Sequence, residues 1–256
     1  MTVTPPTTRL DRSGPESTPG FAARYRSSIA ALERAQKSPR GVSLYSTWVN
    51  RPVGRRLASL ADVLDLTPNH VTVASAACSL TAVALIAVVG PFPLLGLVVG
   101  GLLVLGFALD SADGQLARLH RSGSRSGEYL DHMLDCAVKS TLHAAVLIAF
   151  YRSGERGLEL LVPLGFSTVS VLLFFGGILV SKLRQQSPQP AGSRPGERVG
   201  DWTSSVLLLP ADHGVLCLSF LLWGSGEVFL AVYTLLLLVN AALTAVFAVV
   251  WMRELS

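Results

Sequence analysis

Charge is scarce in this chain. Asp, Glu, Lys and Arg supply 15 % of its 256 residues, half of the sequence is apolar, and the mean hydropathy is +0.48. That balance does not suit a soluble domain and indicates a protein that crosses a bilayer several times. Cysteine is scarce too. Cys78, Cys136 and Cys217 all fall in apolar runs, without metal-ligand spacing, and their odd number argues against a disulfide framework, so they read as small buried hydrophobes. Residues 1–20, rich in Pro, Thr and Ser, lack the apolar core of a signal peptide and read as a disordered cytoplasmic tail. No internal repeat supports a duplicated transporter architecture, and no nucleic-acid-binding motif is present. The net charge of +4, from 21 Lys and Arg against 17 Asp and Glu, therefore suits anionic lipid head groups.

Six stretches are long and apolar enough to be spans: residues 69–89, 92–119, 128–151, 158–183, 203–223 and 227–251. Lys and Arg gather before the first, between the second and third, and at Lys182, Arg184, Arg194 and Arg198. The opposite connections, 90–91, 151–157 and 224–226, carry only Arg152 and Arg156. This bias places both termini and the second connection in the cytoplasm.

Ahead of the spans, Leu44, Trp48, Leu57 and Leu60 supply an apolar side and Arg51, Arg55 and Arg56 a charged one. Such a segment reads as an interfacial helix on the cytoplasmic surface, with Pro52 starting or kinking it. The alternative is that its arginines grip a phosphorylated substrate. Residues 21–37 suit a short basic amphipathic helix, and 185–200, rich in Pro, Gly and Ser, a flexible cytoplasmic loop. The expected fold is an all-α polytopic membrane protein. Its tail covers 1–42, its interfacial helix 43–66 and its six-span domain 67–256.

Acidic side chains concentrate where they are costly. Asp110, Asp113, Asp131 and Asp135 border the second and third spans. On insertion scales an acid within a span costs roughly 2.5–3.5 kcal/mol, so such groups are usually kept for substrates or ions. Asp110 and Asp113 are i, i+3 and Asp131 and Asp135 i, i+4, so each pair shares a helix face. Residues 120–126 read as a turn, and two antiparallel helices joined there bring the pairs together at one membrane surface. Facing carboxylates make an all-oxygen site for hard cations, and two metals suit a phosphoryl displacement. Gly114 and Ala117 leave a shallow strip for a flat nucleotide, Arg118 brings a planar fork within reach of phosphate, and Gly127 opens the second helix with room for close approach.

Together these residues form D-x-x-D-G-x-x-A-R-x8-G-x-x-x-D-x-x-x-D, starting at Asp110. The pattern resembles the signature of the CDP-alcohol phosphotransferases, with every fixed position matched. Upstream, Thr67-Pro68-Asn69-His70-Val71-Thr72 resembles the T-P-N-x-x-T opening of that family's first span. Locally, Thr67 is an N-cap with Pro68 at the first helical position, while Asn69 and Thr72 can offer hydrogen bonds to cytidine or phosphate.

The resemblance implies transfer of a substituted phosphate from a CDP-alcohol to a second alcohol, releasing CMP, within a multi-pass protein of the cell membrane whose site faces the cytoplasm. It implies two divalent cations, Mg2+ or Mn2+, on Asp110, Asp113 and Asp131, with Asp135 the fourth acid of that set and the base for the attacking hydroxyl. It places CDP against Asn69, Thr72, Asp113, Gly114, Ala117, Arg118 and Gly127. The partners it implies are a CDP-alcohol donor, a small alcohol or phosphorylated polyol acceptor and the lipid bilayer, with no nucleic acid, and it allows for a homodimer. Phospholipid synthesis from CDP-diacylglycerol is one version of this chemistry. The stretch Asn50-Arg51-Pro52-x-Gly54-Arg55 resembles members that use CDP-linked polyols or choline-type head groups.

Acceptor-side candidates are Lys139, one turn beyond Asp135, and Asp212 with His213, which interrupt the fifth span after Pro210. Lys139 either neutralises Asp135 or orients it and meets the acceptor; Asp212 and His213 either line the acceptor pocket or mark a packed polar kink. His143 extends the Asp131, Asp135, Lys139 lane by another turn. Asp201 and Trp202 look interfacial, and Asn240 reads as hydrogen-bonding glue between helices. The rival readings are a divalent-cation transporter and a catalytically silent membrane scaffold. The first needs no Gly114, Ala117, Arg118 strip, and the second would tolerate loss of an aspartate, whereas none is lost here.

Overall fold

A computed structural model describes residues 20–36, 43–186, 209 and 212–256. The readings made for the tail up to residue 19, for 187–200 including Arg194 and Arg198, for Asp201 and Trp202, for Pro210 and for most of 203–211 lie outside the described residues. The described residues are helical, with no strand among them.

In chain order the helices are α1 (Phe21–Arg34), α2 (Arg51–Val63), α3 (Pro68–Val88), α4 (Pro93–His120), α5 (Arg125–Arg152), α6 (Leu161–Gln186), α7 (His213–Ser219) and α8 (Glu227–Leu255). Helices α3, α4, α5, α8 and the segment Leu158–Gln186 are long and apolar enough to cross a membrane. That makes five candidate spans among the described residues, against six expected from the sequence. Of the expected fifth span, the described part holds the shorter apolar helix His213–Leu222.

Helix α4 is the axis of the fold. It packs against α1, α2, α3 and α7. Helix α3 packs on both α4 and α5, which make little direct backbone contact with each other, so the expected hairpin is splayed around α3 rather than closed. Small residues set the close approaches. A Cβ on Gly106 would run into Ser79 Oγ and lie 3.1 Å from the Ser75 carbonyl oxygen of α3, and one on Gly54 would lie 2.8 Å from Ser111 Oγ. Helices pressed this closely in apolar surroundings gain from van der Waals contact and from polar links such as Ser75 Oγ, which donates to the Gly106 carbonyl at 2.8 Å.

Helix α2 packs on the bundle through its small residues. Gly54, Ala58, Ser59, Ala61 and Val63 are buried, whereas Trp48 and Leu60 of the apolar set are exposed. The small residues let α2 lie close on α4, which leaves Trp48 and Leu60 on the outer side while Leu57 packs partly buried against the core around Leu32. Just ahead of Pro52, residues Ser46–Asn50 form one π-helical turn, the local widening that accommodates a residue unable to donate its N–H.

Helix α1 is docked rather than solvated. Ser28 and Leu32 are buried, Ser59 Oγ donates to the Tyr25 carbonyl at 2.9 Å, and Gln36 Nε2 donates to Gln115 Oε1 at 2.7 Å. Leu32 joins Ala58, Ala61, Val71, Ala112 and Leu116 in a small apolar core at the motif end of α4. The larger core lies further along the bundle. There Phe150, Phe166, Phe220, Trp223, Phe229 and Tyr233 pack ring against ring. All three cysteines are free.

Candidate active site

The polar motif sits on helical backbone. Helix α4 continues through Asp110, Asp113, Gly114, Ala117 and Arg118, and ends where Arg121 adopts a left-handed conformation, φ 50°. Helix α5 begins at Arg125, two residues before Gly127, because Ser124 caps it by accepting the Gly127 N–H at 3.0 Å. The turn is therefore shorter than the expected 120–126. One oxygen each from Asp110, Asp113 and Asp131 lies within 4.8 Å of the other two. Two full negative charges at that separation repel by about 3.5 kcal/mol at an effective dielectric of about 20, so the cluster calls for a cation or a proton.

Asp113 is buried, and Thr72 Oγ1 of α3 stands 2.5 Å from its Oδ2 and 3.0 Å from the Pro68 carbonyl oxygen. The single hydroxyl proton serves one of them at a time, so Thr72 can steer the Asp113 carboxylate. Asp135 borders the same crevice, which is also lined by Thr72, Asp110, Asp131 and His213.

A cavity of about 750 Å³ opens beside the cluster and is lined by Asn69, Thr72, Asp113, Gly114, Ala117, Gly127 and Asp131. The N-termini of two helices open on it. Thr67 and His70 form a reciprocal capping box at the start of α3, as the N-cap reading expected for Thr67, and Ser124 caps α5. Both helix ends carry partial positive charge. Gly127 lets them meet, since a Cβ there would lie 3.1 Å from Asn69 Oδ1 and from Ser124 Oγ. Arg118 is not among the lining residues. Its buried Nε has no hydrogen-bond partner, and its guanidinium lies 3.5 Å from where a Cβ on Gly114 would be.

Sequence reasoning missed the rim of this cavity. Asp62 and Asp65 line it, Asp62 pairs with His120 at 2.7 Å, and Asp65, at φ 56°, is held by Arg24 of α1 at 3.1 Å. Two acids at i, i+3 immediately before the Thr67-Pro68-Asn69 run were the available signal.

Beyond the crevice, Lys139 Nζ lies 2.8 Å from Asp135 Oδ2 and 4.8 Å from the centre of the Phe174 ring. His143 is buried between Tyr233 OH at 2.5 Å and Ser170 Oγ at 2.9 Å, stacked on Phe166. Asp212 caps α7 by accepting the Gly214 N–H at 2.7 Å, and its other oxygen accepts from the Ser43 hydroxyl and from Ser46 N–H and Oγ. Through its two oxygens Asp212 thus ties the segment before α2 to α7. His213 borders the carboxylate crevice and, with Lys139 and Asp212, a second cavity. Asn240 borders that cavity too and donates to the Leu236 carbonyl of its own helix at 2.8 Å.

The family model of the CDP-alcohol phosphatidyltransferases matches residues 65–252. The chain belongs to this family. No curated protein matches it. The match includes the carboxylate cluster, the large cavity from Asp65 onwards and the second cavity, and leaves α1 and α2 outside. As a CDP-alcohol phosphatidyltransferase with five apolar helices of spanning length, the protein is a multi-pass membrane transferase whose donor is a CDP-alcohol.

The residues present fit a metal. Three carboxylate oxygens converge, and an all-oxygen, anionic donor set is the type that hard divalent cations take. Asp135 stands apart from these three through its ion pair with Lys139.

Proposed function

We propose that this protein is a metal-dependent CDP-alcohol phosphotransferase. It moves a substituted phosphate from CDP-diacylglycerol or a CDP-polyol to the hydroxyl of a second alcohol and releases CMP, in phospholipid or related phosphodiester synthesis. The observation that carries the reading is the convergence of Asp110, Asp113 and Asp131 beside a cavity lined by Gly114, Ala117 and two helix N-termini. A cation channel or transporter has no use for that cavity.

Asp110, Asp113 and Asp131, with Asp135 as an additional ligand, would hold two Mg2+ or Mn2+ ions. When bound, these supply charge neutralisation for the pyrophosphate and for the departing CMP. Asn69, Thr72, Asp113, Gly114, Ala117 and Gly127 form the bed for the cytidine diphosphate. Helix N-termini suit phosphate, and the unpartnered Nε of Arg118 supplies a planar, charged donor beside Gly114.

The acceptor oxygen forms its bond to the phosphorus bearing the donor alcohol. The bond from that phosphorus to the CMP oxygen breaks with its electron pair going to CMP. Asp135 takes the acceptor's proton, and Lys139 orients the Asp135 carboxylate toward the crevice. The catalytic unit comprises residues 67–256, and the segment 43–66, with Trp48 and Leu60 outward, lies at the membrane interface. The cationic residues at the turn after α4 and at the end of α6 support a site and termini on the cytoplasmic side, where CDP-alcohols are made.

The test is CMP release by purified protein in nanodiscs. The donors are CDP-diacylglycerol and CDP-polyols, the acceptors are free and phosphorylated polyols and serine, and each pair is run with Mg2+, with Mn2+ and with chelator. Metal-dependent CMP from one donor–acceptor pair is expected. A protein that binds no cytidine nucleotide and releases no CMP from any pair would return the acids to the transporter or scaffold readings.

A further inference from the structure

Helix α1 lies outside the family match, yet it is fastened at three points to the wall of the large cavity. At the rim, Arg24 pairs with Asp65 at 3.1 Å in the corner between α2 and α3. Near its C-terminal end, Leu32 is 1 % exposed, in the core that also holds Val71 of α3 and Ala112 and Leu116 of α4. Just past the helix, Gln36 Nε2 donates at 2.7 Å to Oε1 of the buried Gln115, which lies between the lining residues Gly114 and Ala117.

The core contact acts from behind the site. Val71 precedes Thr72 and Ala112 precedes Asp113, so this core lies about 100° around each helix from the groups that face the cavity. Gln115 also donates to the Arg51 carbonyl at 3.2 Å, which joins the start of α2 to the same point of α4. Asp65 is held less firmly by its own surroundings. It lines the cavity in a left-handed conformation, φ 56°, with its side chain 82 % exposed. Such residues persist where neighbouring groups hold them. Arg24 reaches Asp65 from a helix anchored on α2, where Ser59 Oγ donates to the Tyr25 carbonyl at 2.9 Å and Arg55 pairs with Glu33 at 3.3 Å. A wall already held in place loses less freedom when a ligand binds, and the saving appears as affinity.

We propose that α1 is a brace for the donor cavity. It holds the corner between α2 and α3 against the motif end of α4, and so raises affinity for the cytidine nucleotide without taking part in the transfer. The proposal rests on the transferase reading for the identity of the ligand. Arg24, Leu32 and Gln36 are positioning residues that act through Asp65, the core behind Thr72 and Asp113, and Gln115. None of the three is among the described residues lining the cavity.

The test uses the full chain in nanodiscs with CMP as the probe. CMP affinity is measured by calorimetry in Mg2+, alongside the unfolding midpoint and the donor KM and kcat of the pair that releases CMP. Arg24→Gln is expected to weaken CMP binding about two- to fivefold, the size of one exposed ion pair, and Arg24→Lys to restore it. Its unfolding midpoint stays at the wild-type value, which separates positioning from folding. Leu32→Ala, which loosens the core contact, is expected to weaken CMP binding about tenfold. Donor KM rises in step in both variants while kcat at saturating donor keeps its wild-type value, as for a loss of binding that the transition state shares. Wild-type CMP affinity in Arg24→Gln or in Leu32→Ala overturns the proposal, as does a fall in kcat with CMP affinity unchanged. Weakened CMP binding in both variants, with no CMP released by the wild type from any pair, overturns the transferase reading and leaves the brace standing. A wild type that binds no CMP overturns both.

Discussion

Lys139 Nζ is bonded to Asp135 Oδ2 at 2.8 Å across one turn of α5, and this pair joins the carboxylate crevice to the second cavity. If Lys139 orients the base, Lys139→Met lowers kcat about tenfold, the equivalent of one charge-assisted hydrogen bond of ~1.5 kcal/mol, with CMP affinity unchanged. Lys139→Arg recovers part of the loss. Unchanged kcat in Lys139→Met would reduce Lys139 to a counter-charge.

Thr72 supports Asp113 from a neighbouring helix through a 2.5 Å contact. Groups that orient a metal-binding carboxylate typically contribute about 10–100-fold to metal affinity or activity. Thr72→Val should raise the Mg2+ concentration for half-maximal CMP release by that factor, and Thr72→Ser should restore it. The same Mg2+ requirement in all three proteins would show that the hydroxyl has no hold on the site.

The approach of α3 to α4 depends on Gly106, where a Cβ would stand 3.1 Å from the Ser75 carbonyl oxygen and closer still to Ser79 Oγ. The serine can rotate, but the backbone oxygen cannot move without separating the helices. Gly106→Ala is expected to cost about 1–3 kcal/mol, as overpacking does, and to lower the midpoint of thermal unfolding in detergent. An unshifted midpoint would mean that the interface yields freely.

Asp212 accepts from Ser43, Ser46 and Gly214, and Asn in its place can accept through only one of its two side-chain termini. Asp212→Asn should destabilise the protein by about 1–3 kcal/mol, the cost of an unsatisfied buried group. Wild-type stability in Asp212→Asn would show that the clamp does not hold the fold and leave Asp212 only its place in the wall of the second cavity.

The spans and the carboxylate motif were legible because each rests on local periodicity. Five expected spans, 69–89, 92–119, 128–151, 158–183 and 227–251, coincide with helical segments to within a few residues. Three arrangements were not legible. The buried face of α2 is built of Gly54, Ala58 and Ala61, and a pattern of large apolar residues points to the opposite side. The Asp212 clamp on Ser43 joins groups 169 positions apart, and local periodicity carries no trace of such a pairing. The docking of α1 through Leu32 and Gln36 is of the same kind, since a short basic helix looks alike whether solvated or packed.

The central claim is that Asp135 takes the acceptor's proton beside a nucleotide held by other residues. Its most direct test measures CMP binding and metal-dependent CMP release side by side in wild-type and Asp135→Asn proteins. The account predicts that the variant folds, binds CMP within a few-fold of wild type and loses at least about a hundredfold in turnover, the lower end for a general base. Wild-type turnover in Asp135→Asn would contradict it.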